Sequence, residues 1–177
     1  MANDFGAFAT DNLGIFRIGA MDCDEFGAIC DKEKVASFPT VRVYPPFPAP
    51  TSDLDLSNNF DAKKLKSAAG RFIEDKAIEV TSNNHKLFVE ENPGTPKVLL
   101  FTNAKKGTPF IYKALSQAFE KTLQFGIVRE SEDALVKQYK VKTFPSLFVV
   151  KNEGKPLKYE GKEFTYNGIF EFINIHS

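Results

Sequence analysis

One strand entrance is written twice in this chain. Residues 34–44 read KVASFPTVRVY, and residues 140–150 read KVKTFPSLFVV. Proline donates no ladder hydrogen bond, so a central strand tolerates it only at the first residue or at a bulge. A cis X-Pro bond in such a place is a deliberate feature. At a shift of 106 positions Lys34 falls on Lys140, Val35 on Val141, Phe38 on Phe144, Pro39 on Pro145 and Val43 on Val149. Ala28 then lies on Ala134 and Ile29 on Leu135, with no gap needed from about residue 16 to residue 44. A period of that size is a domain, not a solenoid repeat. The chain must therefore fold as a tandem pair of one architecture.

The second copy can be read element by element. AIEVTSN (77–83) has strand composition, and NHKLFVEEN is a short helix stopped by Pro93. KVLLFT (97–102) is an apolar run of buried-strand length. From Thr108 to Lys121, Phe110, Ile111, Ala114, Leu115, Ala118 and Phe119 recur at helical spacing and form one apolar stripe. LQFGIVR is a strand, and SEDALVKQYKV starts like a capped helix with Ser131 as N-cap. PSLFVV and KPLKYEG make a hairpin around Asn152 to Gly154, and a last helix carries Ile169, Phe170 and Ile173. The predicted order is β-α-β-α-β-α-β-β-α, an α/β fold with a mixed sheet and helices on both faces.

Composition removes several function classes. Lys+Arg 23 against Asp+Glu 23 leaves zero net charge, so the chain has no electrostatic footprint for nucleic acid. No apolar run approaches the roughly 18 residues of a membrane span, so no membrane insertion is expected. His85 and His176 have no second ligand at metal spacing; surface positions and no metal are expected. There is no Gly-rich phosphate loop, no His-Glu-x-x-His and no serine elbow, and no cofactor is expected. YPPFPAPTSD (44–53) reads as a stiff connector between two strands, or as an extended polyproline ligand. KKLKSAAGRF puts Leu65, Ala69 and Phe72 on one face of an amphipathic helix with lysines opposite.

The predicted order, with proline at the entrance of the fourth strand, resembles the thioredoxin fold. More narrowly, GAMDCDEFGAICDKEKVASFPTVRVY resembles the disulfide isomerase family, and TPKVLLFTNAKKGTPFIYKALSQAF resembles that family's non-catalytic domains. The resemblance implies a cis proline whose neighbours' backbone pairs with an extended peptide. By position that role falls on Phe38, Pro39 and Thr40, and on Phe144, Pro145 and Ser146. The plainer reading is that the proline only shapes the strand entrance.

The family's Cys-x-x-Cys opens the helix after the second strand, where a helix N-terminus lowers a thiol pKa. In the second copy this place reads TNAKKGTPF, so Lys106, Gly107, Thr108 and Pro109 stand where the dithiol would be. Exchange needs an attacking sulfur, and this copy has none there. In the first copy the shift of 106 puts the counterpart of Lys106 at position zero. DFGAFATDNLG then reads as the tail of the post-motif helix and IFRIGAMD as the third strand. The expected domains are 1–76, the C-terminal part of a thioredoxin-like domain that is N-terminally incomplete, and 77–177, a complete one. The alternative is a natural half-domain that borrows strands from another chain.

The only two cysteines are Cys23 and Cys30. Inside one helix, seven residues would separate their Cα atoms by about 10 Å, beyond the ~7 Å a disulfide tolerates. A bond therefore requires Cys23 to precede the helix, with Asp24 as the expected N-cap. The resemblance implies that these two positions pair, away from the active site. A structural staple, a second redox couple and two buried free thiols remain open on the residues alone. A staple would imply an oxidising compartment, hence the endoplasmic reticulum lumen. The expected function is that of a redox-inactive, peptide-binding or structural portion of a disulfide-isomerase-like protein. Its partners would be unfolded polypeptides, or an upstream segment or partner chain that completes the first copy. A non-enzymatic chaperone or scaffold subunit is the alternative.

Overall fold

ANDFGAFATD contains one β-branched residue, Thr10, and alanine at intervals, a composition that favours helix. In a computed structural model, which describes residues 2–54, 61–151 and 154–177, this stretch is helix α1 (Ala2–Asp11). The chain forms two compact units, Met1–Phe72 and Ile73–Ser177. In the first unit α1 is followed by α2 (Gly27–Lys32), β1 (Val41–Val43), β2 (Ser52–Leu54) and α3 (Ala62–Gly70). β1 and β2 pair antiparallel, with Val41 opposite Leu54 and Val43 opposite Ser52. The proline-rich segment between them is their connector. Asp61 caps α3, its carboxylate accepting from the amides of Lys63 at 2.8 Å and Lys64 at 3.4 Å. Leu65 is buried, while Phe72 lies beyond the last turn.

Two expectations fail in this unit. IFRIGAMD is not a strand: only an isolated bridge joins Leu13 to Phe16, and residues 17–22 carry no regular pairing. A strand exists through its neighbours, and among the described residues none lies beside this segment. Nor does Asp24 cap α2. Phe26 holds that position, because the carboxylate of Asp22 accepts the amide of Asp24 at 2.9 Å and bends the chain into a turn first.

The second unit runs β3 (Ile78–Glu79), α4 (His85–Glu90), β4 (Lys97–Thr102), α5 (Phe110–Ala118), β5 (Gln124–Arg129), α6 (Asp133–Gln138), β6 (Ser146–Val150), β7 (Leu157–Lys158) and α7 (Tyr166–His176). The sheet order is β3-β5-β4-β6-β7. β4 is parallel to β5 and antiparallel to β6, and all six of its residues are buried. KVLLFT has no polar face to offer water, so a position with both faces covered suits it. On one face Val98, Leu100, Phe125, Ile127, Leu147 and Val149 pack against Tyr112 and Leu115 of α5 and Ile169 and Ile173 of α7. On the other, Leu99, Phe101, Val128 and Phe148 pack against Phe88 of α4 and Leu135 of α6.

Tyr112 and Lys97 find hydrogen-bond partners inside this unit, whereas the buried Oε1 of Gln124 has none among the described residues. The buried Tyr112 hydroxyl reaches the carbonyls of Val98 at 2.9 Å and Gly126 at 2.7 Å, bridging β4 and β5, and burial pushes its pKa well up. Lys97 is buried at the start of β4. Its Nζ donates to the carbonyls of Glu91 at 2.5 Å and Asn92 at 3.2 Å, closing the C-terminal end of α4, and burial pulls its pKa down. Ser131 is not the cap of α6. Glu132 precedes the helix, and its carboxylate instead accepts from the amide and hydroxyl of Ser82, both at 2.7 Å. The β6–β7 turn was expected at Asn152 to Gly154; Asn152 and Glu153 lie outside the described residues.

Candidate functional site

The repeated entrance is the same object in both units, bond for bond. Each preceding helix ends in a Schellman motif, in which the two residues after the C-cap donate back to the last turn. In the first unit Lys34 N donates to Asp31 O at 2.9 Å and Val35 N to Cys30 O at 3.0 Å. In the second, Lys140 N donates to Lys137 O at 3.1 Å and Val141 N to Val136 O at 3.0 Å. The motif requires a left-handed residue, normally glycine. Here both are lysines, with φ 55° at Lys34 and 53° at Lys140. Six residues after each lysine, a hydroxyl closes the turn over the proline. Thr40 Oγ1 donates to Ser37 O at 2.6 Å, and Ser146 Oγ to Thr143 O at 2.7 Å. The Phe38–Pro39 and Phe144–Pro145 bonds are both cis, as is Phe47–Pro48 in the connector.

The flanking side chains differ. Phe38 is 70% exposed, whereas Phe144 is half-buried against the core on the α4–α6 face. Pro39 and Pro145 are exposed, Thr40 is half-buried and Ser146 is buried.

The register Phe101 opposite Ser146 sets the second entrance at the end of β4 from which the segment 103–109 departs. Lys106, Gly107, Thr108 and Pro109 thus stand at the same end of the sheet as Pro145, immediately before α5. Lys106 and Gly107 are exposed, Thr108 and Pro109 half-buried, and Gly107 has φ 72°. Arg129, which sequence reasoning missed, organises this segment. Its Nη1 donates to the carbonyls of Ala104 at 3.0 Å and Gly107 at 2.9 Å, and its Nε lies 3.2 Å from Glu79 Oε1. No motif marks this arginine. The lysine pair at the helix ends did carry a signal, since Lys34 and Lys140 coincide in the repeat.

Cys23 and Cys30 form a disulfide, with Cα atoms 5.9 Å apart. Cys23 sits in the turn before α2 and Cys30, buried, inside it. Neither lies at a helix-opening position. His85 is half-buried, not a surface residue. Its Nε2 is 2.8 Å from the Tyr139 hydroxyl, and burial lowers its pKa and raises that of Tyr139 to about 12. Among the described residues no group of His, Cys, Asp and Glu could hold a metal, and no helix is long and apolar enough to cross a membrane.

No family model matches the chain. A Dictyostelium discoideum protein named as a protein disulfide-isomerase is 30% identical over 174 residues, which cover 93% of this chain and 41% of that protein. The full-length crystal structure of ERdj5 superposes with a TM-score of 0.58 over 97% of the chain and 26% of its own length, at 19% identity. The chain is similar in sequence to a protein-disulfide-isomerase-like relative, and its fold is thioredoxin-like. A second member of this circle of relatives, the DnaJ protein ERDJ3A of Oryza sativa subsp. japonica, is 30% identical over 139 residues, 76% of this chain and 24% of its own. This isomerase-like chain thus spans less than half the length of the curated relatives it matches. The likeness to solved structures carries the fold, thioredoxin-like with a mixed sheet.

Proposed function

We propose that these residues form a redox-inactive, polypeptide-binding portion of a disulfide-isomerase-like protein that assists folding in the endoplasmic reticulum lumen. The observation that carries this reading is the retention of the strand entrance, bond for bond, in a copy whose dithiol position holds Lys106, Gly107, Thr108 and Pro109. A device built only to serve a dithiol would have no reason to persist beside that sequence. What the entrance still offers is backbone next to an exposed proline, at a sheet end where an extended chain can pair. Residues Phe38–Thr40 and Phe144–Ser146 are the contact positions. The Cys23–Cys30 bond acts as a staple, since its sulfurs lack a helix-opening site that would make a thiolate available. It also supports an oxidising compartment, as do the names of the relatives.

The domain reading is part of this proposal. Residues 77–177 are a complete thioredoxin-like domain without Cys-x-x-Cys, and residues 1–76 are the C-terminal part of another. β6 is flanked by β4 and β7, whereas among the described residues β1 pairs with β2 alone. The free edge of β1 accordingly has the place of β4 to fill, by a strand that the rest of the polypeptide or a partner supplies.

The experiment is a pair of assays on the full chain. Reduced, carboxymethylated α-lactalbumin, a permanently unfolded polypeptide, should bind measurably, while insulin reduction should stay at background. Turnover that disappears on Cys23→Ser would overturn the redox-inactive reading, and absence of α-lactalbumin binding would overturn the binding one.

A further inference from the structure

Arg129 ties β5 by its side chain both to β3, its partner in the sheet, and to the β4–α5 loop, which lies outside the ladder. It closes β5, in register with Thr102 at the end of β4. Its side chain is only 12% exposed. The guanidinium holds Glu79 of β3 through Nε, and Ala104 and Gly107 of the β4–α5 loop through the two hydrogens of Nη1. The loop has little else to fix it. Its exposed residues Lys105 and Lys106 lie between the two clamped carbonyls, and Ala104 N donates to Thr102 Oγ1 at 3.2 Å. Gly107 adopts φ 72°, which leaves its carbonyl turned back toward the arginine at 2.9 Å. The loop leaves β4 one residue beyond the pair Phe101–Ser146, at the mouth of the Phe144–Pro145–Ser146 entrance.

We propose that Arg129 is a positioning residue of the polypeptide-binding site: it pre-sets the Ala104–Gly107 backbone as a fixed wall beside the second strand entrance. The proposal rests on the binding function proposed above. A planar guanidinium satisfies three acceptors on two sides at once, which the single nitrogen of a lysine on its flexible stem cannot do. With the clamp in place, an extended chain docks against a loop already ordered. Without it, the loop must be ordered on binding, and affinity falls by that cost. The position therefore trades a reactive dithiol turn for a rigid polar one, consistent with a site that holds chains without reacting with them.

The test compares the full-length chain with Arg129→Lys and Glu79→Gln, using reduced, carboxymethylated α-lactalbumin as the probe. Arg129→Lys should bind roughly threefold to tenfold more weakly, with a melting temperature close to that of the unaltered chain. Glu79→Gln, which keeps a neutral acceptor for Nε and both loop bonds, should bind within about twofold. Amide exchange on the unaltered chain should show added protection at residues 104–107 when the probe is bound. Unchanged affinity in a folded Arg129→Lys variant would overturn the positioning role while leaving the binding reading intact. If that variant does not fold, exchange decides: no probe-dependent protection at 104–107 overturns the proposal. Failure of the unaltered chain to bind the probe is distinguishable from both, and overturns the binding reading and this inference with it.

Discussion

Arg42 on β1 and Phe148 on β6 stand 106 residues apart, at the same position of the repeated strand, and their surroundings are chemically opposite. Phe148 is 4% exposed and meets Phe101 and Tyr139 edge-on, with ring centroids 5.4 and 5.3 Å away. Arg42 forms a fork with Asp53, at 2.5 and 2.9 Å, and its Nη1 donates to the carbonyl of Glu33. The Glu33 carboxylate in turn accepts from the Tyr44 hydroxyl at 2.8 Å. Glu33 is itself the counterpart of Tyr139. The second unit thus holds its helix against its strand with aromatic rings, the first with an ion-pair network. Three rings are stable together only when all are dry, and the third, Phe101, comes from β4. The ionic version needs no third strand and tolerates water nearby. The same backbone device can therefore be seated on either chemistry, provided the neighbours match.

The largest effect should come from separating the two units. Residues 73–177, with a five-stranded sheet and apolar clusters on both faces, should unfold cooperatively as an isolated segment. Residues 1–72 should not, because their buried apolar side chains among those described are only Phe8, Cys30 and Leu65. Circular dichroism melts of the two segments measure this. A cooperative, monomeric transition in 1–72 would defeat the proposal that its sheet is completed from elsewhere.

Next comes the contrast at the repeated strand position. Phe148→Ala should cost about 3–5 kcal/mol, since it empties the centre of a ring cluster. Arg42→Ala should cost less, and its penalty should shrink in high salt, because an exposed network is screened. Chemical denaturation of both variants at two ionic strengths gives the comparison. Equal, salt-independent losses would show that Arg42 acts by packing alone.

A smaller effect is expected where the copies differ by one methyl. A Cβ on Gly126 would come within 2.7 Å of Val80, 2.8 Å of Leu99 and 2.9 Å of Phe88. Its counterpart in the first unit is Ala20, exposed in the unpaired segment 17–22. Gly126→Ala should destabilise by about 1–3 kcal/mol through overpacking, while Ala20→Gly should stay within about 0.5 kcal/mol. Denaturant midpoints suffice to check both. A large loss at Ala20→Gly would mean that this segment is packed as a strand after all.

Much of this architecture could be read from residues alone, because its signals are local. KVLLFT is largely apolar and becomes the fully buried β4. Of the stripe from Phe110 to Phe119, Ala114 and Leu115 are buried in α5, beside Tyr112 and Ser116, which the stripe left out, while Ala118 is exposed. What failed depended on partners. IFRIGAM has strand composition but no neighbouring strand among the described residues. Asp24 and Ser131 are good capping residues, yet an Asp22 turn and a Glu132–Ser82 contact moved the helix starts. The site was legible where it repeats, at Phe38–Thr40 and Phe144–Ser146. It was invisible where it depends on backbone carbonyls meeting across loops, as at Arg129. Lys34 and Lys140 were in plain view as a coincident pair, but lysine is not a residue that signals a left-handed cap.

That pair gives the smallest and most symmetric effect. A non-glycine residue in the left-handed region costs roughly 1–2 kcal/mol, and replacing it by glycine recovers this less about 0.4–1 kcal/mol for the freer unfolded chain. Each lysine also follows a helix C-terminus, where its charge meets the negative end of the dipole, a gain of about 0.3–1 kcal/mol that salt removes. Lys34→Gly and Lys140→Gly should therefore be close to neutral at low salt. Both should become stabilising by roughly 0.5 kcal/mol in high salt, once the dipole contribution is screened. Denaturation curves for the two variants at low and high ionic strength test the sign and the equality together. The two shifts should track each other, because the bonds after each lysine match to within 0.2 Å. A stabilising change in one unit with a destabilising change in the other would mean that the two entrances share a sequence and a geometry without sharing an energetic role.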